Sequence, residues 1–125
     1  MSETVRVIHL LEEVAEKAVR GIAIEITDQL FATTPVATGW ARSKWIPSIG
    51  QSVAFPDGSR ESFDGSGQAQ GKATLAAYRL DQGPIFVSNN VPYIGKLNAG
   101  SSPQAPAGFV QEAADRAVSA VEAQL

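Results

Sequence analysis

The chain has 125 residues, which suits one domain with a single modest hydrophobic core. Its 13 acidic residues outnumber its 10 basic residues, and a net charge of −3 argues against a nucleic-acid binder that depends on neutralising phosphates. The absence of cysteine excludes disulfides, thiolate metal sites and cysteine nucleophiles.

Residues 4–31 show the periodicity of a long amphipathic helix. Its main apolar stripe recurs at spacings of three and four and comprises Leu11, Ala15, Ala18, Ile22, Ile26 and Leu30. Further apolar residues, from Val7 to Ile24, widen the stripe beyond what one small core needs. Gly21 costs about 1 kcal/mol relative to alanine in mid-helix, so it predicts a close packing contact. Pro35 is expected to end the helix.

The middle of the chain predicts a small β-region that includes a long loop. Residues 40–49 mix aromatic, basic and β-branched side chains and are typical of a strand, which residues 53–55 continue after a bend. Residues 56–71 contain four glycines and almost nothing to bury, and therefore predict a long mobile loop. The alanines of residues 72–80 favour a short helix, and residues 85–88 favour a second strand.

The last third of the chain predicts one or two helical turns at residues 93–98 and a final helix that begins at Pro106. The expected apolar face of that helix comprises Val110, Ala114, Ala117, Val118, Val121 and Leu125. The sequence thus predicts a single α+β domain over residues 1–125. A long N-terminal helix and a C-terminal helix pack on a small antiparallel β-region with a mobile loop at about residues 56–71.

No residue pattern indicates a catalytic or metal-binding site. His9, the one histidine, lies in the first helix among apolar neighbours, and no serine stands in a G-x-S-x-G motif. The acidic residues 12–16 fall on the polar face of that helix, and residues 57–64 lack the order of a calcium-binding loop. We therefore predict that the protein is not an enzyme and uses no metal or cofactor.

The sequence also predicts a protein without a membrane segment, made and used in the cytoplasm. No stretch reaches the roughly 18 apolar residues of a spanning helix. The first ten residues lack the basic and apolar regions of a signal peptide.

Residues 34–45 form the first of two candidate interface segments. In a strand, Trp40 and Arg42 share one face while Trp45 lies on the other. We therefore expect one tryptophan to pack inside and the other to be available for a partner, where Trp and Arg are enriched at hot spots. The alternative is an edge strand whose Trp40 covers the first helix.

Residues 87–110 form the second candidate interface segment. Asn89 and Asn90 follow the second predicted strand, and their side chains suit turns. Prolines and glycines then predict an irregular path, along which Tyr93 and Phe109 offer aromatic contacts. The alternative is an ordinary surface loop between two elements.

Together these segments resemble the small neck and tail-completion proteins of long-tailed bacteriophages, also called minor tail components. Members carry a T-P-V-x-T-G-x-x-R-x-x-W segment after a long N-terminal helix, matched here by residues 34–39, Arg42 and Trp45. They also carry N-N-x-P-Y, a leucine, a G-S-S turn and Q-A-P-A-G. These are matched by residues 89–90, 92–93, 97, 100–102 and 104–108. The chain departs from the pattern at Ala37, where an acid is common, and at Trp40, where an arginine is common.

The resemblance implies a structural virion protein, assembled in the host bacterial cytoplasm, that forms a homo-oligomeric ring at the head–tail junction and lets genomic DNA pass. It favours sixfold over twelvefold symmetry. Its expected partners are portal-side connector or stopper proteins and tail-terminator or tail-tube proteins. The expected interface residues are Trp40, Arg42, Trp45, Asn89, Asn90, Pro92, Tyr93, Leu97 and Phe109.

The sequence leaves two alternative functions open. One is a tail terminator that caps the tail tube instead of joining it to the head. The other is a small DNA-binding accessory protein. Its basic residues would be Arg42, Lys44, Arg60, Lys72 and Arg79.

Overall fold

Helix α1 spans Glu3–Thr33 and is about 46 Å long. The computed structural model describes residues 2–35, 40–52, 66–100 and 105–124, with the backbone alone at residues 40, 43, 66 and 67. Ser2 caps the start of α1, where its Oγ accepts a hydrogen bond from the Val5 N–H at 3.2 Å. Thr34 adopts extended geometry directly before Pro35 and ends the helix, as the sequence predicts.

The elements after α1 are shorter and include a two-stranded sheet. In chain order they are α2 (Trp40–Ser43), β1 (Ile46–Ile49), α3 (Ser66–Leu75), a 3₁₀ turn (Leu80–Gln82), β2 (Ile85–Ser88), α4 (Ile94–Asn98) and α5 (Phe109–Glu122). Strands β1 and β2 pair antiparallel, with Ile46 opposite Ser88 and Ile49 opposite Ile85. The predicted α+β fold is therefore confirmed, with long terminal helices and a small antiparallel sheet.

The core lies where α5 packs along the C-terminal half of α1. Leu30, Trp45 and Ala113 form one buried cluster near the end of α1. Further back along α1, a Cβ on Gly21 would lie 3.6 Å from Val121. Because residue numbers rise along α5 as they fall along α1, the two helices are antiparallel.

Helix α3 packs between the sheet and α1. A Cβ on Gly71 would lie 2.6 Å from the carbonyl oxygen of Pro47 in β1, so only glycine fits at this point. One turn earlier on nearly the same face, Gln68 donates from Nε2 to the carbonyl oxygen of Thr27 at 3.4 Å. The close approach at Gly71 therefore brings α3 into contact with both elements.

The strand predicted over residues 40–49 is wrong in its first half. Trp40–Ser43 form one helical turn, and β1 begins only at Ile46. Ala41 is buried in this turn at 2% exposure. Contacts of this turn with the end of α1 outweigh the β-propensity of the segment, which is a weak preference.

The loop predicted over residues 56–71 is wrong at its C-terminal end, because α3 begins at Ser66. Its glycines disfavour a helix, but packing at Gly71 requires one of them. Helix α3 ends at Leu75, so the helix predicted over residues 72–80 is also shorter than expected. The predicted strand at residues 53–55 and the loop at residues 56–65 lie outside the described residues.

The predicted apolar faces have the correct period, and part of each is displaced around its helix. In α1 the buried residues are Ala23, Thr27 and Leu30, whereas Leu11 is 64% exposed. In α5 the buried residues are Phe109, Ala113, Ala117 and Val121, whereas Val118 is 36% exposed. Helix α5 begins at Phe109, so Pro106 is not its first residue as predicted. The predicted strand at residues 85–88 and the helical turn within residues 93–98 are confirmed.

Candidate assembly interface

Thr34 joins the end of α1 to the first candidate segment. Its Oγ1 donates a hydrogen bond to the carbonyl oxygen of Leu30 at 2.6 Å and accepts one from Trp45 Nε1 at 2.7 Å. Thr34 is 2% exposed, so these bonds are shielded from water. The last turn of α1 leaves carbonyl oxygens without helical partners, and Thr34 satisfies one of them.

Arg42 binds the same helix end from α2. Its Nε donates to the carbonyl oxygen of Phe31 at 2.9 Å, and its guanidinium lies 4.2 Å from the centroid of the Phe31 ring. A positive charge near a helix C-terminus also complements the helix dipole. Arg42 therefore has a clear structural role within the subunit.

The two tryptophans of the first segment differ in what the structure describes. Trp45 is 5% exposed and belongs to the cluster of Leu30 and Ala113. The side chain of Trp40, together with residues 36–39 of the motif, lies outside the described part of the chain. Trp45 thus belongs to the hydrophobic core of the protein.

Asn89 connects the second candidate segment to the first. Its Nδ2 donates to the carbonyl oxygen of Ala41 at 2.8 Å, and its Oδ1 accepts from the Val91 N–H at 3.0 Å. Ala41 and Val91 are both 2% exposed and pack together. Two segments almost fifty residues apart in sequence are therefore held as one unit.

The remaining residues of the second segment divide into packed and exposed side chains. Tyr93 and Leu97 are half-buried and pack against the Ala41–Val91 cluster. Asn90 and Pro92 are exposed. Phe109 is 1% exposed, so it contributes to the core of the subunit. Among the predicted interface residues whose side chains the structure describes, Asn90 and Pro92 thus offer the most surface to a partner.

Asn98 is a structural residue that the sequence reasoning missed. Its Oδ1 accepts from the Val110 N–H at 3.0 Å, and its carbonyl oxygen accepts from the Gly108 N–H at 2.7 Å. Gly108 has a positive φ of 79° and precedes α5 without a capping side chain of its own. Asn98 therefore caps α5 although it is not next to α5 in sequence. Nothing in the sequence around Asn98 indicated this role, because an asparagine shortly before a G-S-S turn is expected for the turn alone.

The two segments meet at an open cleft of about 460 Å³, named here the motif cleft. Thr34 and Arg42 of the first segment line it, as do Pro106 and Phe109 of the second. Glu112 and Arg116 of α5 add charge at its edge, with 3.9 Å between Arg116 Nη1 and Glu112 Oε2. Of these lining residues, Thr34 and Phe109 are buried, so Arg42 and Pro106 are the side chains through which the two segments are accessible at the motif cleft.

A second surface is the N-terminal part of α1, residues 3–14, named here the α1 arm. All of its residues are exposed, although many are apolar. The large apolar side chains are between 42% and 64% exposed and comprise Val5, Val7, Ile8, Leu10, Leu11 and Val14. An exposed apolar patch of this kind commonly marks a contact surface for another molecule.

The apolar stripe of the α1 arm faces away from the buried face of α1. At about 100° per residue, Val7, Leu10, Leu11 and Val14 fall within an arc of about 100°. On a regular helix that arc lies opposite Ala23, Thr27 and Leu30, which are buried farther along α1. The stripe therefore does not continue the core of the subunit.

The described residues contain no cluster of three or more metal-ligating side chains. His9 is exposed, and its Nδ1 lies 3.8 Å from Glu12 Oε2 on the α1 arm. Within the same part of the chain, each helix is too short or too polar to cross a membrane.

Comparison with known proteins matches this chain to no protein family, no curated protein and no solved structure.

Proposed function

We propose that this protein is a structural subunit of the head–tail junction of a tailed bacteriophage, where copies of it form a ring that lets DNA pass. It acts by assembly and not by catalysis. Its partners in this proposal are further copies of itself, preferably six, and the adjoining connector and tail proteins. Its place is the virion, after assembly in the bacterial cytoplasm.

The α1 arm is the observation that carries this proposal. Six large apolar side chains are exposed on it, and no described part of the subunit covers them. Leaving such side chains in water forgoes about 1.5–3 kcal/mol each, relative to full burial. A subunit that covers this surface on assembly recovers part of that free energy.

The motif cleft supports the same proposal from a different part of the molecule. The segments that resemble neck and tail-completion proteins are joined by the hydrogen bond from Asn89 to Ala41 and line one open surface. A ring of identical subunits needs two different contact surfaces on each chain. The motif cleft is a candidate for one of these surfaces, and the α1 arm is a contact surface in addition to those that close the ring.

The DNA-binding alternative loses support because two of its basic residues are engaged within the subunit. Arg42 binds Phe31, and Lys72 forms an ion pair with Asp28 of α1. Engaged cations contribute less to the phosphate neutralisation on which such binding depends. Arg60 lies outside the described residues.

The proposal is tested by deleting the coding region from the producing phage and imaging the lysate by electron microscopy. We expect filled heads and finished tails that remain unjoined, and a plasmid copy of the gene to restore joined particles. Normal joined virions would contradict the proposal. Tails of uncontrolled length would instead favour the tail terminator.

A sharper version of this test complements the deletion with variants of the α1 arm. Leu11→Lys places a charge in the apolar stripe, where the side chain is 64% exposed, and we expect it to fail to restore joining. His9→Lys adds a similar charge to the polar face of the same arm and serves as the control. Equal rescue by both variants would show that the stripe is not a contact surface in the virion.

A further inference from the structure

We infer that the α1 arm binds the α1 arm of a second copy of this chain, with the two helices antiparallel and centred on Leu10. This inference rests on the proposed self-assembly and names the partner of one assembly surface. It adds a two-fold contact, distinct from the contacts that close a ring.

The spacing of apolar residues on the arm is that of a helix–helix seam. Val7, Leu11, Val14 and Ala18 follow one another at intervals of four, three and four, the alternation of a coiled coil. The next residue of this series is Gly21, where a Cβ would lie 3.6 Å from Val121 near the end of α5. The seam thus ends where the last residues of α5 reach α1, and along the arm no described residue covers it.

The charges beside the seam determine the direction of the partner helix. Glu3, Arg6, Glu13 and Lys17 lie along one flank, within an arc of about 80°. Their signs alternate as minus, plus, minus, plus, with Leu10 in the middle. Read in the opposite direction, the series is plus, minus, plus, minus, so the flank is complementary to its own reverse.

An antiparallel pair places opposite charges together on this flank. With Leu10 of the two copies adjacent, Glu3 lies beside Lys17 of the second copy, and Arg6 lies near its Glu13. Each of these pairs occurs twice because the contact has two-fold symmetry. Flanking residues of this kind set partner choice and orientation in helix pairs.

The apolar residues of the arm fit the same alignment. Leu11 packs against Val7 of the second copy, and Ile8 lies beside its own counterpart on the other flank. Five of the six exposed apolar side chains of the arm, from Val7 to Val14, then lie on or beside the seam.

A parallel pair does not use these charges. In a parallel helix pair the charged flank of one copy meets the opposite flank of the other, where Ile8 and Ala15 lie. Glu3 then faces Ile8, and Lys17 faces Ile22. The antiparallel pair is therefore the arrangement that the charge pattern favours.

The expected dimer is weak. A contact of about fifteen residues from each helix falls near or below the roughly 1,200 Å² of a stable interface, so the dimer forms in a concentration-dependent way. An acidic membrane surface is a poorer partner, because residues 3–17 carry four acidic side chains and two basic ones, at Arg6 and Lys17.

Site-specific cross-linking of the purified full chain tests the orientation, since the protein has no cysteine of its own. We expect an equimolar mixture of Glu3→Cys and Lys17→Cys to give cross-linked dimers with a short bismaleimide. Glu3→Cys alone should give almost none, because the two copies of position 3 are about 21 Å apart along the helix axis. Equal cross-linking by Glu3→Cys alone would overturn the antiparallel pair, as would no cross-linking of the mixture.

Charge reversal tests the pairing without cysteine. Glu3→Lys and Lys17→Glu each replace two attractive pairs with repulsive ones, and each should weaken dimerisation by roughly tenfold in analytical ultracentrifugation. The double variant restores opposite charges and should recover most of the affinity. If it dimerises no better than the single variants, the pairing is wrong.

Failure of this inference and failure of the proposed function give different results. Unjoined heads and tails after gene deletion, together with an arm insensitive to charge reversal, would retain the proposed function and remove the arm pairing. Joined virions after deletion, together with the expected cross-links, would retain the arm pairing and remove the proposed function.

Discussion

The two halves of α1 belong to one continuous helix but differ in what holds them. The C-terminal half is packed against α5, α3 and the sheet, and its Leu30 is 2% exposed. The α1 arm has a similar share of apolar residues, and its Leu10 is 55% exposed. Hydrophobic composition alone therefore does not indicate whether a helix face packs inside the subunit or is left for a partner.

Hydrogen bonds show the same difference between the two halves. The end of α1 is bound through Phe31 to Arg42 and through Thr34 to Trp45, and both bonds connect residues eleven positions apart. The polar contacts that the structure describes for the α1 arm are local, between Ser2 and Val5, Glu3 and Arg6, and His9 and Glu12. The arm is a helix by virtue of its own sequence, whereas the other half is also held by the fold.

The largest effect is expected from one substitution made in both halves. Leu30→Ala removes a buried side chain and should lower the free energy of unfolding by about 2–5 kcal/mol. Leu10→Ala is the matched control, because it changes the same residue type in the same helix. It should change the free energy of unfolding by no more than about 0.5 kcal/mol in dilute solution. Urea denaturation measures the free energy of unfolding of both variants. Equal losses would show that the two halves of α1 do not differ in how they are packed.

A smaller effect is expected at the buried hydroxyl that ends α1. Thr34→Val removes the bond to Leu30 and leaves the indole N–H of Trp45 buried without its acceptor. We expect a loss of about 1–3 kcal/mol in the free energy of unfolding. Thr34→Ser keeps the hydroxyl and is the control, and denaturation of the two variants should separate the hydrogen bonds from the packing. A Val variant as stable as the unsubstituted protein would contradict the role of the hydroxyl, and a Ser variant as unstable as the Val variant would show that the Thr34 methyl group contributes as much as the hydroxyl.

The smallest effect is expected at the boundary between the two halves and has the opposite sign. Gly21→Ala adds a methyl group at an ordinary contact distance of 3.6 Å from Val121. It should stabilise the protein by up to about 1 kcal/mol, since alanine is the better helix former. Gly71→Ala is the contrasting variant, because its Cβ would lie 2.6 Å from Pro47 and should destabilise the protein. Thermal denaturation checks both, and a destabilising Gly21→Ala would mean that α5 packs more tightly there than the distance indicates.

Only part of the candidate site could be predicted from the sequence. Its motif residues were identifiable, but the sequence could not show that Trp45 and Phe109 are buried in the core while Asn90 and Pro92 are exposed. The strand predicted at residues 40–49 would place Trp40 and Trp45 on opposite faces. The helical turn at Trp40–Ser43 removes that argument, because its geometry is set by contacts with the end of α1.

Some structural roles carry no signal in a single sequence. Gly71 looked like a loop residue, because glycine is common in loops and its close approach to Pro47 depends on a strand distant in the chain. Asn98 caps α5 from the end of α4, eleven residues before α5 begins, so no local capping pattern revealed it. Both roles arise from pairs of residues that only the fold brings together.

The sequence by itself determined the α+β class, the long N-terminal helix, the second strand and the final helix, because periodicity and helix-ending residues act locally. It also determined that α1 carries more apolar surface than one small core needs. Only the tertiary structure decided which part of that surface is covered. Helix α5 is 14 residues long beside the 31 of α1, and where it lies on α1 depends on contacts such as Gly21 with Val121 that no local pattern encodes.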